Sequence, residues 1–271
     1  MTKKITFSFG KNWQNFLSSL DEDRFKSAEL SLTEFLGLED LQGKSFLDIG
    51  CGSGLFSYAA FNLGAKEIVS FDMDPFSVEC CKYLHKKATS PKNWEIYKGS
   101  ILDNNFISKL GKFDVVYAWG VLHHTGKMWE AIKNSANFVN KDGYYYIAIY
   151  NKVEGMRGSK FWLIIKKLYN SFPPIGKYIL EMIYILSYFA ANLIRLRNPI
   201  TNIKNYKSKR GMNWRRDIID WLGGYPYEFA TVEEVFKFIK ANFLYFNLIN
   251  IKTTNGLGNN QYLFKLKFDS C

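Results

Sequence analysis

Short apolar runs alternate with stretches of helical spacing over most of this chain. Ser45–Ile49, Glu67–Phe71, Trp94–Lys98, Phe113–Trp119 and Tyr144–Tyr150 read as strands of five to seven residues. Between them, Leu55–Leu63, Pro75–Lys87 and Met128–Phe138 carry apolar residues at three- and four-residue intervals and read as helices. A leading segment, residues 11–38, has the same helical spacing, with Trp13, Phe16, Leu17 and Leu20 before an acidic turn and Phe25, Ala28 and Leu32 after it. Alternating strands and helices predict a parallel sheet covered on both faces. The end of the chain adds a helix, Val232–Ala241, and two strands, Tyr245–Lys252 and Tyr262–Phe268. The link between those strands is too short for a crossover, so they run antiparallel. The predicted fold is α/β, a Rossmann-like sheet of seven strands, six parallel and the last antiparallel, with an α-helical cap inserted.

The insertion is where the alternation breaks. Residues 153–216 contain no strand pattern; Phe161–Tyr169 and Ile179–Leu196 read as helices separated by Pro173 and Pro174. The second of these has a wide apolar face and a polar stripe of Glu181, Tyr184, Tyr188, Asn192 and Arg195. Its apolar run is shorter than the roughly 20 residues of a membrane span. Three domains follow: an N-terminal helical lid over 1–44, a core made of 45–152 with 217–271, and a basic helical cap over 153–216.

Charge sharpens this division. The chain carries +11 overall, yet residues 151–216 hold fourteen Lys/Arg against two Glu, a net of +12, and the remainder is at −1. The whole basic excess lies in the cap, which suits an anionic acceptor, a membrane surface or nucleic acid. Three readings of the cap helix compete: a lid packed on the core, a membrane-surface helix spanning roughly 177–210, and a homodimer contact. Cys51, Cys80, Cys81 and Cys271 offer no CxxC spacing, so neither a disulfide framework nor a metal site is expected. Met1–Gly10 has lysines but no apolar stretch after them, so the expected location is cytoplasmic, peripheral to the membrane on the second reading.

The most informative stretch is Phe46-Leu-Asp-Ile-Gly-Cys-Gly-Ser-Gly54: a strand, three alternating glycines, then a helix. Such a loop brings backbone close to a ligand at a helix N-terminus. Asp72 ends the next strand, where a carboxylate can accept ribose hydroxyls. The glycine spacing is G-x-G-x-G, not that of a pyrophosphate loop, and Asp48 precedes it. A carboxylate there repels pyrophosphate and suits a cofactor bearing an ammonium and a sulfonium.

Asp48–Gly54, Asp72-Met-Asp-Pro75, Gly99-Ser-Ile-Leu-Asp103 and Phe113–His124 resemble the successive motifs of class I S-adenosylmethionine-dependent methyltransferases. They are most similar to the branch of ubiquinone-type O-methyltransferases and small-molecule methyltransferases. The resemblance implies S-adenosylmethionine as cofactor and S-adenosylhomocysteine as product. It implies that Asp48, Gly50, Cys51, Gly52 and Gly54 wrap the methionine part, Asp72 holds the ribose and Met73 packs on the adenine. Ser100 and Ile101 would meet the adenine edge, and Trp119 and Gly120 would lie near the methionine. The family often has Asp where this chain has Ser100, which leaves adenine recognition to backbone groups or to Asp103.

The acceptor side rests on strand direction. The loop Val121–Thr125 follows the fourth strand, and His123 and His124 are candidate general bases, with loop-ordering as the alternative for each. The fifth strand ends at Tyr150 and Asn151, the sixth near Thr253, so Asn151 and the Asn255–Gln261 stretch, with Asn260, reach the same edge. Tyr225, Tyr227 and Glu228 return the cap to the core as a pocket wall or as a turn leading into the capping box Thr231–Glu234. Trp13 is a candidate lid contact. These residues predict methyl transfer to a small-molecule acceptor at oxygen, anionic, phosphorylated or lipid-linked. The alternatives are N-methylation of a small molecule and an RNA (tRNA)-modifying enzyme using the basic cap. No resident metal is called for.

Overall fold

A computed structural model of the chain describes residue 17 and residues 20–196, 198–204 and 214–267. The elements, in chain order, are α1 (Glu22–Leu36), β1 (Ser45–Ile49), α2 (Leu55–Asn62), β2 (Glu67–Asp72), α3 (Pro75–Lys87), β3 (Trp94–Lys98) and α4 (Asn104–Ile107). There follow β4 (Phe113–Trp119), a 3₁₀ turn (Leu122–His124), α5 (Met128–Ala136), β5 (Val139–Tyr150), α6 (Ser159–Ser171) and α7 (Pro174–Ile194). The last are α8 (Pro199–Lys204), α9 (Trp214–Gly223), α10 (Val232–Asn242), β6 (Phe246–Lys252) and β7 (Asn259–Leu266).

One seven-stranded sheet runs β3-β2-β1-β4-β5-β7-β6. β7 is antiparallel to both its neighbours and the other strands share one direction, as the sequence predicts. The two-residue period of a strand sends alternate side chains to opposite faces. Phe46, Val115 and Tyr117 therefore join Phe25, Leu32 and Leu84 under α1–α3. Leu47, Ile49, Val116 and Ala118 join Ile132 and Val235 under α5 and α10. Burial on both faces is why β1 reads as a continuous apolar run.

Two strands are longer than their apolar pattern. β5 starts at Val139, ahead of Tyr144, and β7 starts at Asn259, ahead of Tyr262. The turn-forming residues Asn259 and Asn260 pair with Tyr150 and Ile149, so backbone hydrogen bonding overrides their local preference. Caps follow the sequence: Asp21 accepts from the Arg24 amide, Pro75 occupies the first turn of α3, and Thr231 and Glu234 form a capping box.

The cap departs from expectation in one respect. The two helices are separated at the proline pair as predicted, with Pro173 as N-cap, but proline suits a first helical turn, so α7 begins at Pro174, ahead of the predicted Ile179. It packs on α6, α8 and α9, around a small core of Tyr169, Ile218 and Leu222. Its polar stripe turns toward those helices: Tyr169 donates to Glu181 (2.8 Å), and Trp162 meets Tyr184 edge to face. None of its residues is buried.

Candidate functional site

β1 and β2 end side by side, and the loop between β1 and α2 folds back over the end of β2. The amides of Gly50 and Cys51 donate to the Phe71 carbonyl (2.8 and 3.1 Å), and the Gly52 amide donates to Asp72 Oδ2 (3.1 Å). Gly50 has φ +70°, and a Cβ there would stand 2.3 Å from Val121 Cγ2. Gly54, φ +81°, would place a Cβ 2.8 Å from the Cys81 backbone. Only glycine lets this loop pass between the β4 loop and α3.

Two carboxylates flank the loop. Asp48 is 2% exposed. The Ser57 hydroxyl donates to its Oδ2 (2.5 Å), Ser70 donates to Ser57 (2.8 Å), and the Trp94 indole donates to Ser70 (2.8 Å). This buried relay fixes one oxygen of Asp48. Burial still raises its pKa to about 7, against the Ser57 bond, which lowers it, and with Asp72 adding repulsion. Asp72, which also accepts from the Asp74 amide (2.9 Å), is raised to about 6, again mainly by burial. One buried and one half-buried carboxylate at adjoining strand ends, with no basic side chain among the causes of either shift, make a site suited to a cation. That matches the ammonium and sulfonium of S-adenosylmethionine and does not match a pyrophosphate.

Around this pair, Met73 and Trp119 are exposed at 60% and 42%, free to cover a ligand. Gly120 follows Trp119 with φ +75°. Ser100 is half-buried and accepts from the Leu102 amide (3.2 Å). Ile101 is buried in the core, so only its backbone is at hand beside the loop. Asp103 is the N-cap of α4, accepting from Asn105 and Phe106. The thiols of Cys51, Cys80 and Cys81 are free, and Cys51 is raised by its hydrogen bond to Cys81 and by burial.

His123 and His124 occupy the turn after β4 with opposite bonding. The Tyr150 amide donates to His123 Nδ1 (3.3 Å), so that nitrogen carries no proton and Nε2 does. Nε2 of His123 is buried without a partner among the described residues. His124 Nδ1 lies 2.5 Å from the Pro226 carbonyl, which can only accept, so Nδ1 holds the proton and Nε2 the lone pair. Burial depresses His123 well below the usual imidazole value and His124 to about 4. Both are neutral near pH 7.

A lysine of the cap completes this cluster. Lys166 is 1% exposed; its ammonium lies 4.2 Å from the Trp221 ring centre and 4.9 Å from that of Tyr227, and donates to the Trp221 carbonyl. No carboxylate among the described residues forms an ion pair within 4.0 Å of it, although the charge of Asp220 favours its protonated form. Burial lowers it to about 7. Its charge in turn helps depress both histidines. The Tyr150 ring lies tilted against those of His123 and Tyr227, with centres 4.0 Å and 5.0 Å away, which closes the group.

The other predicted acceptor residues are brought to the same edge but are occupied in different ways. Asn151 donates to the carbonyls of Thr254 (2.9 Å) and Gly256 (3.1 Å) and accepts from Asn260 (3.0 Å). The fully buried Asn260 accepts from the Thr254 amide (2.9 Å). Together they tie the root of the cap to the β6–β7 link. Glu228 accepts from the Met128 amide (3.1 and 3.0 Å), at the N-terminus of α5, and burial raises its pKa. Tyr227 is buried beside Lys166, and Tyr225 is half-buried in the returning loop. Trp13 lies outside the described residues.

Ser57, Ser70 and Lys166 are the contributors that the sequence reading passed over. The serines carry no motif. Lys166 did leave a signal: it falls between Trp162 and Tyr169 on the apolar face of its helix, where a lysine is out of place.

The parallel sheet with an antiparallel last strand, and an acidic, glycine-rich loop at its carboxyl edge, define a class I S-adenosylmethionine-dependent methyltransferase. Residues 40–178 match the family described as a methyltransferase domain, and the chain belongs to that family. Over 219 residues it is 26% identical to the tRNA U34 carboxymethyltransferase of Campylobacter fetus, covering 75% of this chain and 71% of that protein. It is 37% identical over 101 residues to the ribosomal protein L11 methyltransferase of Staphylococcus saprophyticus, covering 37% and 30%. It is 28% identical over 136 residues to the ubiquinone biosynthesis O-methyltransferase of Pelagibacter ubique, covering 50% and 53%. The chain thus spans about half or less of the last two relatives. In fold it is similar to the magnesium protoporphyrin IX methyltransferase of Synechocystis PCC 6803 with bound S-adenosylhomocysteine, with a TM-score of 0.53 at 13% identity, covering 89% and 82%.

Proposed function

We propose that the chain transfers a methyl group to an oxygen of a small anionic acceptor, held at the carboxyl edge between the His123–His124 turn and the helical cap. The observation that carries this reading is the buried Lys166 ammonium beside both histidines, without a carboxylate partner among the described residues. A buried cation in that state is costly unless an anion joins it. When bound, S-adenosylmethionine supplies a methyl group on a sulfonium, open to displacement.

The chain's own residues do the rest. Asp48 and the Gly50, Cys51, Gly52 and Gly54 backbone hold the methionine part, and Asp72 binds the ribose. Met73, Ser100 and the Ile101 backbone bound the adenine, while Trp119 and Gly120 line the methionine end. His124 presents an unprotonated Nε2 and takes the acceptor's hydroxyl proton. His123 donates from Nε2 and orients that acceptor. Lys166 fixes its anionic group. Asn151, Asn260, Tyr225, Tyr227 and Glu228 shape the wall.

Methylation assays on a carboxylated phenol and its uncharged analogue test the reading. The anionic compound is expected to be preferred. Lys166→Met should raise its KM about tenfold or more while leaving S-adenosylhomocysteine affinity, measured by calorimetry, unchanged. Lys166→Arg should retain part of the preference and remove the rise in KM expected above pH 7, where Lys166 loses its proton. Equal use of both compounds would refute it.

A second reading, RNA modification, is favoured by the breadth of the match to the Campylobacter carboxymethyltransferase and by the basic cap. It predicts tRNA binding that falls steeply with salt.

A further inference from the structure

The cap helix α7 is inside out. Its partly buried positions include Lys177, Glu181, Tyr184, Tyr188 and Asn192, while every exposed position is uncharged. Ile175, Ile179, Ile183, Leu186, Leu193 and Ile194 are exposed between 52% and 83%. The 21-residue helix therefore presents an apolar face about 30 Å long. α6 continues it with Ile164 and Leu168 exposed at 58% and 41%. Water does not leave such a face bare without cost.

Charge decides between the possible covers. The face belongs to the segment that carries the whole basic excess, +12 over residues 151–216. A symmetric pair of chains joined through it would set two such segments against each other. An RNA would meet an uncharged helix face. An anionic bilayer satisfies both features, taking the apolar side chains among its acyl chains and attracting a segment of net charge +12 to its headgroups. Length alone would let α7 cross a membrane. However, its inner half is engaged with Tyr169 and Trp162 of α6, so it lies along a surface rather than passing through one.

We infer that the outward face of α7 docks the chain on the surface of an anionic lipid bilayer, with the carboxyl edge of the sheet served from that surface. The docking stands on its own. Its consequence, that the anionic acceptor is carried on a lipid, rests on the function proposed above. α6 springs from the end of β5 through Asn151 and Lys152, so the docked face and the His123–Lys166 cluster share one structural unit.

Co-sedimentation of the full chain with phosphatidylglycerol vesicles, and with phosphatidylcholine vesicles as control, tests this without any acceptor. Binding is expected to the anionic vesicles, to be weaker by about tenfold or more on the neutral ones, and to fall as salt rises. The double variant I183E/L186E should lose binding to phosphatidylglycerol while its S-adenosylhomocysteine affinity and circular dichroism stay unchanged. Ile179→Glu, one turn away, serves as a second variant with the same expected loss. No binding to anionic vesicles, or binding that both variants retain, would overturn the docking surface. So would a stable dimer in sedimentation velocity that I183E/L186E dissociates. Vesicle binding combined with failure to bind S-adenosylhomocysteine would instead strike at the proposed function and leave the docking intact.

Discussion

Asp48 holds a proton near pH 7 in the fold and near its ordinary value of 3.8 when the chain is unfolded. Between those values the folded chain binds more protons, so this group's effect is to lower stability as pH rises through about 4 to 7. Above that window an ionised Asp48 costs the fold on the order of 4 kcal/mol. Asp48→Asn should therefore raise the melting temperature at pH 8 by several degrees, keep the Ser57 bond, and abolish S-adenosylhomocysteine binding in calorimetry. A variant that is less stable and still binds would contradict the assignment of Asp48 to the cofactor. The histidines divide by tautomer. His124→Gln should lower kcat by about a hundredfold with little change in cofactor affinity. His123→Gln keeps a donor at the same place and should act mainly on KM. If the two variants behave alike in single-turnover assays, neither histidine is the base.

At the scale of elements, the loop between β1 and α2 works because it is thin. A methyl group on Gly50 meets Val121 and sits on a left-handed backbone. Gly50→Ala should cost about 1–3 kcal/mol in urea unfolding and weaken S-adenosylhomocysteine binding, because the loop must move away from the β4 turn. The sequence pattern located every strand of the parallel sheet here, since burial on both faces writes itself as an apolar run. It placed the starts of β5 and β7 too late. Val139 pairs with Phe113 across an irregular register, and Asn259–Gln261 pair with Ala148–Tyr150, by backbone bonds that leave no trace in side-chain polarity. It found the amphipathic character of α7, while the side facing outward depended on neighbours.

For the molecule as a whole, the cap is attached at two points that lie close together. The Lys152 amide donates to Ala230 (3.0 Å), and the Ala230 amide donates to Tyr150 (3.0 Å). Removing 153–229 and joining Lys152 to Ala230 with a short linker should leave a sheet that still binds S-adenosylhomocysteine and no longer methylates the acceptor. Loss of cofactor binding with a folded core would show that the cap belongs to the cofactor site as well. What the sequence determined by itself was the sheet, its strand directions and the acidic glycine loop. These depend on local spacing and on residue types that few other environments tolerate. The carboxylate relay through Ser57 and Ser70, the opposed tautomers of His123 and His124, the burial of Lys166 and the outward face of α7 were decided only in three dimensions. Each depends on which groups from distant parts of the chain become neighbours, and on how far water is excluded where they meet.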